Sequence, residues 1–251
     1  MTETVETVEK GKGRFEFGFD FEQDVVYNLS GLEGDLTRLG VLGLRTGVGE
    51  RVELQLFWTA QEFLNVNRRF DAPNTPNLDF SGNSTSDIGN VMVGTKVQLV
   101  PEKGKRPGLG FRFSVELPNT SSESGLGTDE TQFYNSVLVQ KGWEKLRLFG
   151  EVGLAILGDP VSGGAQDDLL IYGAAVAYSV SPKLDVVANL HGLAGSGGIG
   201  TEEETLLKLG VQVKAAGLYW DGSALFGFQD SDPSTGISFG ITKEFPLPQF
   251  D

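Results

Sequence analysis

The chain has 251 residues, no cysteine and a net charge of −14. Without cysteine, disulfide frameworks, thiolate catalysis and cysteine-ligated metal sites are excluded, and the strong negative charge disfavours nucleic acid as a partner because two polyanions repel each other. The 35 glycines, together with 17 phenylalanines against 2 methionines, favour strands and turns over helical bundles.

Residues 1–12 are polar and acidic, and we expect them to form a mobile N-terminal lead-in before a single domain over residues 13–251. No run of about 18 apolar residues is present, so no transmembrane helix is predicted. The first ten residues lack the apolar centre of a signal peptide. If the protein is exported, the sequence is that of the mature form, or of that form with Met1 added.

Alternating apolar and polar residues predict strands with one apolar and one polar face. In residues 15–22, 4 phenylalanines alternate with 3 carboxylates. A strand near 36–46 follows, but its pattern does not settle which face points where. Residues 52–59 again alternate, with Leu54 and Trp58 opposite Glu53. The clearest pair is 88–99 and 109–117, where Lys96 and Arg112 oppose the apolar face, and the prolines and glycines between them predict an antiparallel hairpin.

The remaining pattern continues to about twelve strands, and the connections alternate in length along the chain. Long loops are predicted near 25–35, 65–87, 118–130, 158–168, 194–205 and 229–236. Short turns are predicted near 47–50, 100–107, 141–145, 180–183 and 214–217. This alternation is typical of up-and-down membrane barrels, and strands of about nine to eleven residues suit a tilted crossing of the hydrocarbon layer.

We therefore predict an all-β fold, an up-and-down antiparallel transmembrane β-barrel of about twelve strands with its apolar faces toward lipid. The alternative is a soluble β-barrel or sandwich that binds a ligand or carbohydrate. It would bury the apolar faces inside, but the lumen of a twelve-stranded barrel is too wide for side chains to fill.

In the membrane barrel, the polar faces of the strands line the pore. The predicted pore-lining residues are Glu16, Asp20, Glu53, Lys96, Arg112, Glu116, Arg147, Glu151, Asp185, His191, Lys208 and Lys214. Four of them, Arg112, Glu116, Arg147 and Glu151, could form a charge ladder that sets selectivity, or ion pairs that only satisfy one another. His191 is the only histidine, so neither a metal site nor a catalytic triad is predicted.

Features outside the strands fit the same topology. Trp58, Trp143, Trp220, Tyr172 and Tyr178 are near predicted strand ends, as in membrane-interface belts. The long loops are acidic and the short turns basic; carboxylates in the loops could bridge divalent cations, but solvated surface charge is the simpler interpretation. The glycine-rich residues 195–200 lack the lysine of a phosphate-binding loop and are predicted to be a flexible loop.

Three segments also resemble a known family. Residues 84–99 (S-T-S-D-I-G-N-V-M-V-G-T-K-V-Q-L), 109–118 (L-G-F-R-F-S-V-E-L-P) and 148–159 (L-F-G-E-V-G-L-A-I-L-G-D) are similar to outer-membrane transporters associated with phenol-degradation pathways. The resemblance implies a Gram-negative outer-membrane barrel for uptake of small, often hydrophobic or aromatic compounds, and brings no catalytic residues. The C-terminal K-E-F-P-L-P-Q-F-D departs from the usual aromatic-terminated last strand, which we expect to end near Phe245 because proline cannot pair within a ladder.

The functional expectation is a channel or transporter for passive uptake of small molecules, not an enzyme, with no cofactor. Its expected partners are membrane lipid, lipopolysaccharide and a small-molecule solute, with no nucleic acid. Its expected location is the bacterial outer membrane.

Overall fold

The computed structural model describes residues 2–248, in which twelve strands close into one antiparallel barrel. The strands in chain order are β1 (Lys12–Tyr27), β2 (Leu32–Gly49), β3 (Val52–Arg69), β4 (Ser84–Asp87), β5 (Val91–Val100), β6 (Gly108–Leu117), β7 (Gln132–Trp143), β8 (Leu146–Gly158), β9 (Gln166–Ser181), β10 (Leu184–Ala194), β11 (Glu204–Ala215), β12 (Leu218–Gly227) and β13 (Thr235–Pro246). The short β4 is not a barrel strand; it pairs with β3 alone, beside a single 3₁₀ turn at Thr75–Asn77. The first and last strands pair from Lys12↔Pro246 to Gln23↔Thr235, which closes the barrel and removes its free edges.

Consecutive barrel strands are neighbours throughout, and the connections alternate as predicted. One end carries residues 70–90, 118–131, 159–165, 195–203 and 228–234, and the other carries the short turns. The first connection differs from the prediction of a long loop near 25–35. It spans only residues 28–31, because β1 and β2 continue to Tyr27 and Leu32, where Val25 and Leu36 find buried apolar neighbours.

The apolar faces of the strands point outward. Val93 is 48% exposed and Val152 is 54% exposed, whereas Lys96 and Glu53 on the opposite faces are each 1% exposed. Phe111 and Leu148 are exposed as well. A soluble barrel needs the reverse arrangement, so the structure confirms the membrane-barrel prediction over the soluble alternative.

A bulge at Gly40 explains why the pattern of residues 36–46 was ambiguous. Gly40 has a φ of 65°, in the left-handed region that glycine adopts readily. The β1–β2 register skips this residue, passing from Gly18↔Val41 to Phe19↔Leu39. Because of this extra residue, even-numbered side chains face the lumen before Gly40 and odd-numbered side chains face it after Gly40. As a result Arg38 and Arg45, seven positions apart in β2, both point into the lumen and form ion pairs there.

Part of the lumen at the end that carries the long loops is apolar, which differs from the expectation of a uniformly wet interior. One cluster of buried residues consists of Val25, Leu32, Leu36, Leu64 and Val66, covered by Tyr27, Leu78, Phe80 and Leu126. A second consists of Ala155, Leu157 and Leu169. These inward side chains pack against one another and against residues of the long loops, so burial there comes from the barrel's own core.

Aromatic residues lie near the short-turn end of the exterior. Trp143, Tyr178 and Trp220 are 53%, 48% and 44% exposed, and all three are close to short turns. β13 ends at Pro246, one residue beyond the expected Phe245. The final Phe250 and Asp251 lie outside the described residues. Within residues 2–248 no helix is both long enough and apolar enough to cross a bilayer.

Candidate functional site: the barrel lumen

The N-terminal segment, residues 2–9, lies inside the barrel. Val5 and Val8 are 1% and 4% exposed. The backbone N–H groups of the segment donate to side chains of the barrel wall: Val5 to Gln140 Oε1 (3.1 Å) and Val8 to Glu53 Oε2 (2.7 Å). In this segment without secondary structure, the two buried backbone donors of Val5 and Val8 are therefore satisfied by side chains of the wall. The prediction that residues 1–12 are mobile stays a prediction.

Gly47 provides the space for this segment where it leaves the lumen. A Cβ atom at Gly47 would lie 2.3 Å from the carbonyl oxygen of Val8 and 2.2 Å from that of Glu9. Lys10 pairs with Gly47 in an isolated bridge, and the Gly11 N–H donates to the Gly47 carbonyl (3.0 Å). The close approach of two backbones requires glycine here.

Glu3 is the residue of this segment that enters the charged centre of the lumen. Its carboxylate accepts from Arg45 Nη1 (2.9 Å) and from Lys96 Nζ (3.2 Å). Burial alone would raise the pKa of Glu3, but Arg45, Lys96 and Arg112 together hold that pKa well below its ordinary value. Glu3 is consequently ionised at neutral pH, and its charge is balanced by cations of the barrel wall.

A hydrogen-bonded row continues from this point across three strands. Glu53 lies 3.4 Å from Lys96 and accepts from Gln55 Nε2 (2.7 Å). Gln55 in turn accepts from Arg112 Nε (2.9 Å). These buried charges are tolerable because each has a partner of opposite charge or a hydrogen-bonding amide.

Arg45 connects this row to β1 on the other side. Its guanidinium donates to Glu16 Oε1 (3.0 Å) and lies 4.9 Å from the centre of the Phe57 ring. The ring and the carboxylates together orient the guanidinium in the lumen. We call Arg45, Lys96 and Arg112 the cation cluster.

Two members of the cation cluster, Arg45 and Arg112, border a cavity of about 650 Å³ in the lumen. Carboxylates of Glu16, Asp20 and Asp221 line it, as do Arg45 and Arg112. The cavity therefore presents both signs of charge to whatever occupies it.

A second charged opening of about 370 Å³ lies toward the long loops. It contains Arg38, which pairs with Glu22 (2.7 Å) and Glu62 (3.1 Å) across neighbouring strands. Asp20 and Lys208 line both cavities. The two openings therefore adjoin at these residues on one side of the lumen.

The predicted pore-lining residues fall into several groups. Four of them, Glu16, Glu53, Lys96 and Arg112, belong to the row around Glu3. Glu151 accepts from the Glu3 N–H at 3.2 Å and from the Ser136 hydroxyl at 2.7 Å. Asp20 and Lys208 line the cavities.

The other predicted residues lie apart from this centre. Glu116 accepts from Asn90 (2.8 Å), and Arg147 pairs with Asp185 (2.9 Å) near the short turns. Lys214 is exposed over the Tyr219 ring (5.2 Å). The four-residue ladder of Arg112, Glu116, Arg147 and Glu151 is not formed: in residues 2–248 none of them pairs with another.

His191 lies in β10, where it borders the smaller cavity. Its Nδ1 atom is buried and has no hydrogen-bond partner within the described part of the chain. In that same part of the chain, no cluster of three or more potential metal ligands is found.

Sequence reasoning missed Glu3, Arg38 and Arg45. The two arginines are in the strand whose facing the bulge obscures. Glu3 belongs to a segment that looked like a polar lead-in. The one local signal was Val5 and Val8, two apolar residues three positions apart among acidic ones, which are buried in the structure.

Comparison with known proteins adds a fold relationship. No protein-family model matches the chain, and no curated protein sequence matches it. Among solved structures it is similar to the KdgM porin, with a TM-score of 0.55 and 8% identity over 92% of this chain and 99% of that one. It is also similar to the NanC porin, with a TM-score of 0.52 and 9% identity over 94% of this chain and 100% of that one. At such low identities the likeness establishes the fold alone.

The closed twelve-stranded barrel and its apolar exterior define a transmembrane β-barrel with the fold of outer-membrane porins. This class confirms the predicted fold and fits the predicted outer-membrane location.

Proposed function

We propose that this barrel is a channel that lets small molecules cross the bacterial outer membrane passively. The observation that carries the proposal is the pair of charged cavities, about 650 and 370 Å³, that share Asp20 and Lys208 inside a closed barrel. A lumen built only for stability would be filled, as it is in the apolar clusters. A polar route left open beside a packed core favours solute passage over a purely structural role.

The side chains that line this route indicate which kind of solute it suits. Charges of both signs face the cavities, so ions and polar groups keep favourable contacts as they lose water. Phe57 and Met92 border the larger cavity and offer an apolar surface beside the charges. This mixture supports small amphipathic solutes, including the hydrophobic or aromatic compounds implied by the resemblance to transporters associated with phenol degradation.

The proposal assigns no catalytic role and no cofactor to the chain. Lipid and lipopolysaccharide are the proposed surroundings of the exterior. The pore-lining role of the residues predicted from the sequence is part of the proposal, with Asp20 and Lys208 at its centre.

Single-channel recording in planar bilayers tests this function. The wild-type barrel should give discrete conductance steps. Ser223→Trp places an indole in the larger cavity, which Ser223 lines, and should lower the conductance by about half or more. Ala224→Trp, at the adjacent position of opposite facing, is the matched control and should leave conductance unchanged. Folded barrels that give neither conductance nor solute flux into liposomes would overturn the proposal.

A further inference from the structure

The centre of the lumen holds a balanced set of charges, of which one member is not part of the barrel wall. The cation cluster is accompanied by three carboxylates, Glu3, Glu16 and Glu53. Glu16 and Glu53 belong to strands, but Glu3 is carried by the N-terminal segment. If Glu3 leaves, three cations face two carboxylates, and the site gains a net positive charge in a largely buried place.

Arg112 has unused capacity within this cluster. Its Nε donates to Gln55 and its Nη2 lies 3.4 Å from the sulfur of Met92. Within residues 2–248 no carboxylate pairs with it, although it lines the large cavity. A guanidinium has five N–H donors in a planar fork that matches a carboxylate, so this arginine can still bind one.

The same place offers an apolar partner for the body of a ligand. The Phe57 ring lies 4.9 Å from the Arg45 guanidinium and 6.0 Å from that of Arg112, and it borders the cavity together with Met92. A carboxylate with an attached ring could therefore place its oxygens on the guanidinium groups and its ring against Phe57.

We propose that the cation cluster is a binding site for small organic carboxylates with an apolar body, and that Glu3 occupies this site as an internal carboxylate. The inference deepens the proposed channel function and rests on it: a solute carboxylate would displace Glu3 while it crosses the lumen. The N-terminal segment thus holds the empty channel in a charge-balanced, narrowed state, and the solute takes over that balance.

The contacts of the segment make such displacement feasible. The segment buries only two apolar side chains, Val5 and Val8, which are all that it has. Its backbone is held mainly by single hydrogen bonds to Gln140, Glu53 and Glu151. Each hydrogen bond of this kind contributes modestly because water competes for the same groups. The barrel strands keep all their ladder partners when the segment moves.

Benzoate binding to the full-length barrel in detergent, measured by titration calorimetry, tests the site directly. Glu3→Gln removes the internal competitor and should strengthen benzoate binding by roughly tenfold or more, because the cation cluster no longer has to release Glu3 before benzoate binds. Glu6→Gln is the matched control: it removes the same charge from the same segment, and among residues 2–248 Glu6 contacts Gln140 and pairs with no cation. It should change the affinity by less than about twofold.

Two further variants keep the test independent of Glu3. Gly47→Ala crowds the backbone of the segment without changing any charge and should also strengthen benzoate binding. Arg112→Gln should weaken benzoate binding by about tenfold or more in the Glu3→Gln background. Heat-modifiable migration on gels verifies that each variant is folded.

The outcomes separate this inference from the proposed function. Equal benzoate affinity in Glu3→Gln and Glu6→Gln, or binding that survives Arg112→Gln, would overturn the carboxylate site even if the barrel conducts ions. Benzoate binding with the expected pattern in a barrel without conductance would uphold the site and overturn the channel.

Discussion

Placing a charge on the outward face at the middle of the barrel should destabilise it strongly. Val152 lies midway along β8 and is 54% exposed. Its neighbours in the ladder are Val137 on β7 and Tyr172 on β9. Neither neighbour carries a countercharge, so the arginine in Val152→Arg would face hydrocarbon without a partner.

The expected cost follows from lipid-facing substitutions in membrane barrels. Arginine near the bilayer midplane costs about 2–4 kcal/mol, which is roughly a 30- to 700-fold change in the folding equilibrium at about 1.4 kcal/mol per tenfold. Val152→Leu, which stays apolar, should change the free energy of unfolding by less than about 0.5 kcal/mol.

Reversible urea unfolding of the barrel in lipid vesicles, followed by tryptophan fluorescence, provides this free energy. The informative control is Gln212→Arg, which puts the same side chain into the large cavity and should cost less than about 1 kcal/mol. If Val152→Arg is no more destabilising than Gln212→Arg, our assignment of the outer and inner faces is refuted.

Three further predictions concern the lumen and the loops. Glu53→Leu removes one of the carboxylates that pair with buried Lys96 and should lower the free energy of unfolding by about 3 kcal/mol in the same assay. A loss below about 1 kcal/mol would contradict this. The pKa of Glu3 bound to the cation cluster is below its ordinary 4.5. The binding of Glu3 is therefore fully stabilised above pH 4.5 and weakens as the pH falls through the lowered pKa. Conductance should therefore be steady from about pH 7 to 5 and rise only below 4.5, whereas Glu3→Gln should lack that rise; identical profiles would refute the pairing. Asp232 accepts backbone N–H groups of Thr205, Phe228 and Gln229 at 3.0, 3.1 and 2.9 Å, so Asp232→Ala should speed hydrogen exchange at these amides by about tenfold or more, and unchanged exchange would count against this anchoring role.

The fold was predictable because the alternation of side chains is strong where one face meets lipid and the other meets charge. Residues 91–100 and 108–117 show this directly: Val93 points outward and Lys96 inward, as their parity predicts. Loop lengths carried the topology, since each pair of strands returns to the same side of the membrane.

Two features of the structure could not be predicted from the alternation of side chains, for physical reasons. The bulge at Gly40 shifts parity within β2, so that no single alternation describes both Arg38 and Arg45. The lumenal position of residues 2–9 depends on contacts between residues far apart in sequence, such as Val5 with Gln140 and Val8 with Glu53. A local period cannot report such contacts.

The apolar end of the lumen is a third limit of parity reasoning. Continued from residues 52–59, alternation would place Leu64 and Val66 on the outer face with Leu54, whereas both are buried. It also does not tell whether water or a loop covers them. In the structure they contact Phe80 and Leu126 from the connections 70–90 and 118–131.

Adjacent single-cysteine variants in β11 measure most directly which face of a strand meets water. Lys208→Cys lies in the route between the two cavities, and Leu209→Cys lies on the exterior, where Leu209 is 46% exposed. The chain has no cysteine of its own, so each label reports one position. In lipid vesicles a charged, water-soluble thiol reagent should label position 208 and not 209, and a lipid-soluble maleimide should label 209. The reverse pattern, or equal labelling of both positions by the charged reagent, would contradict the account.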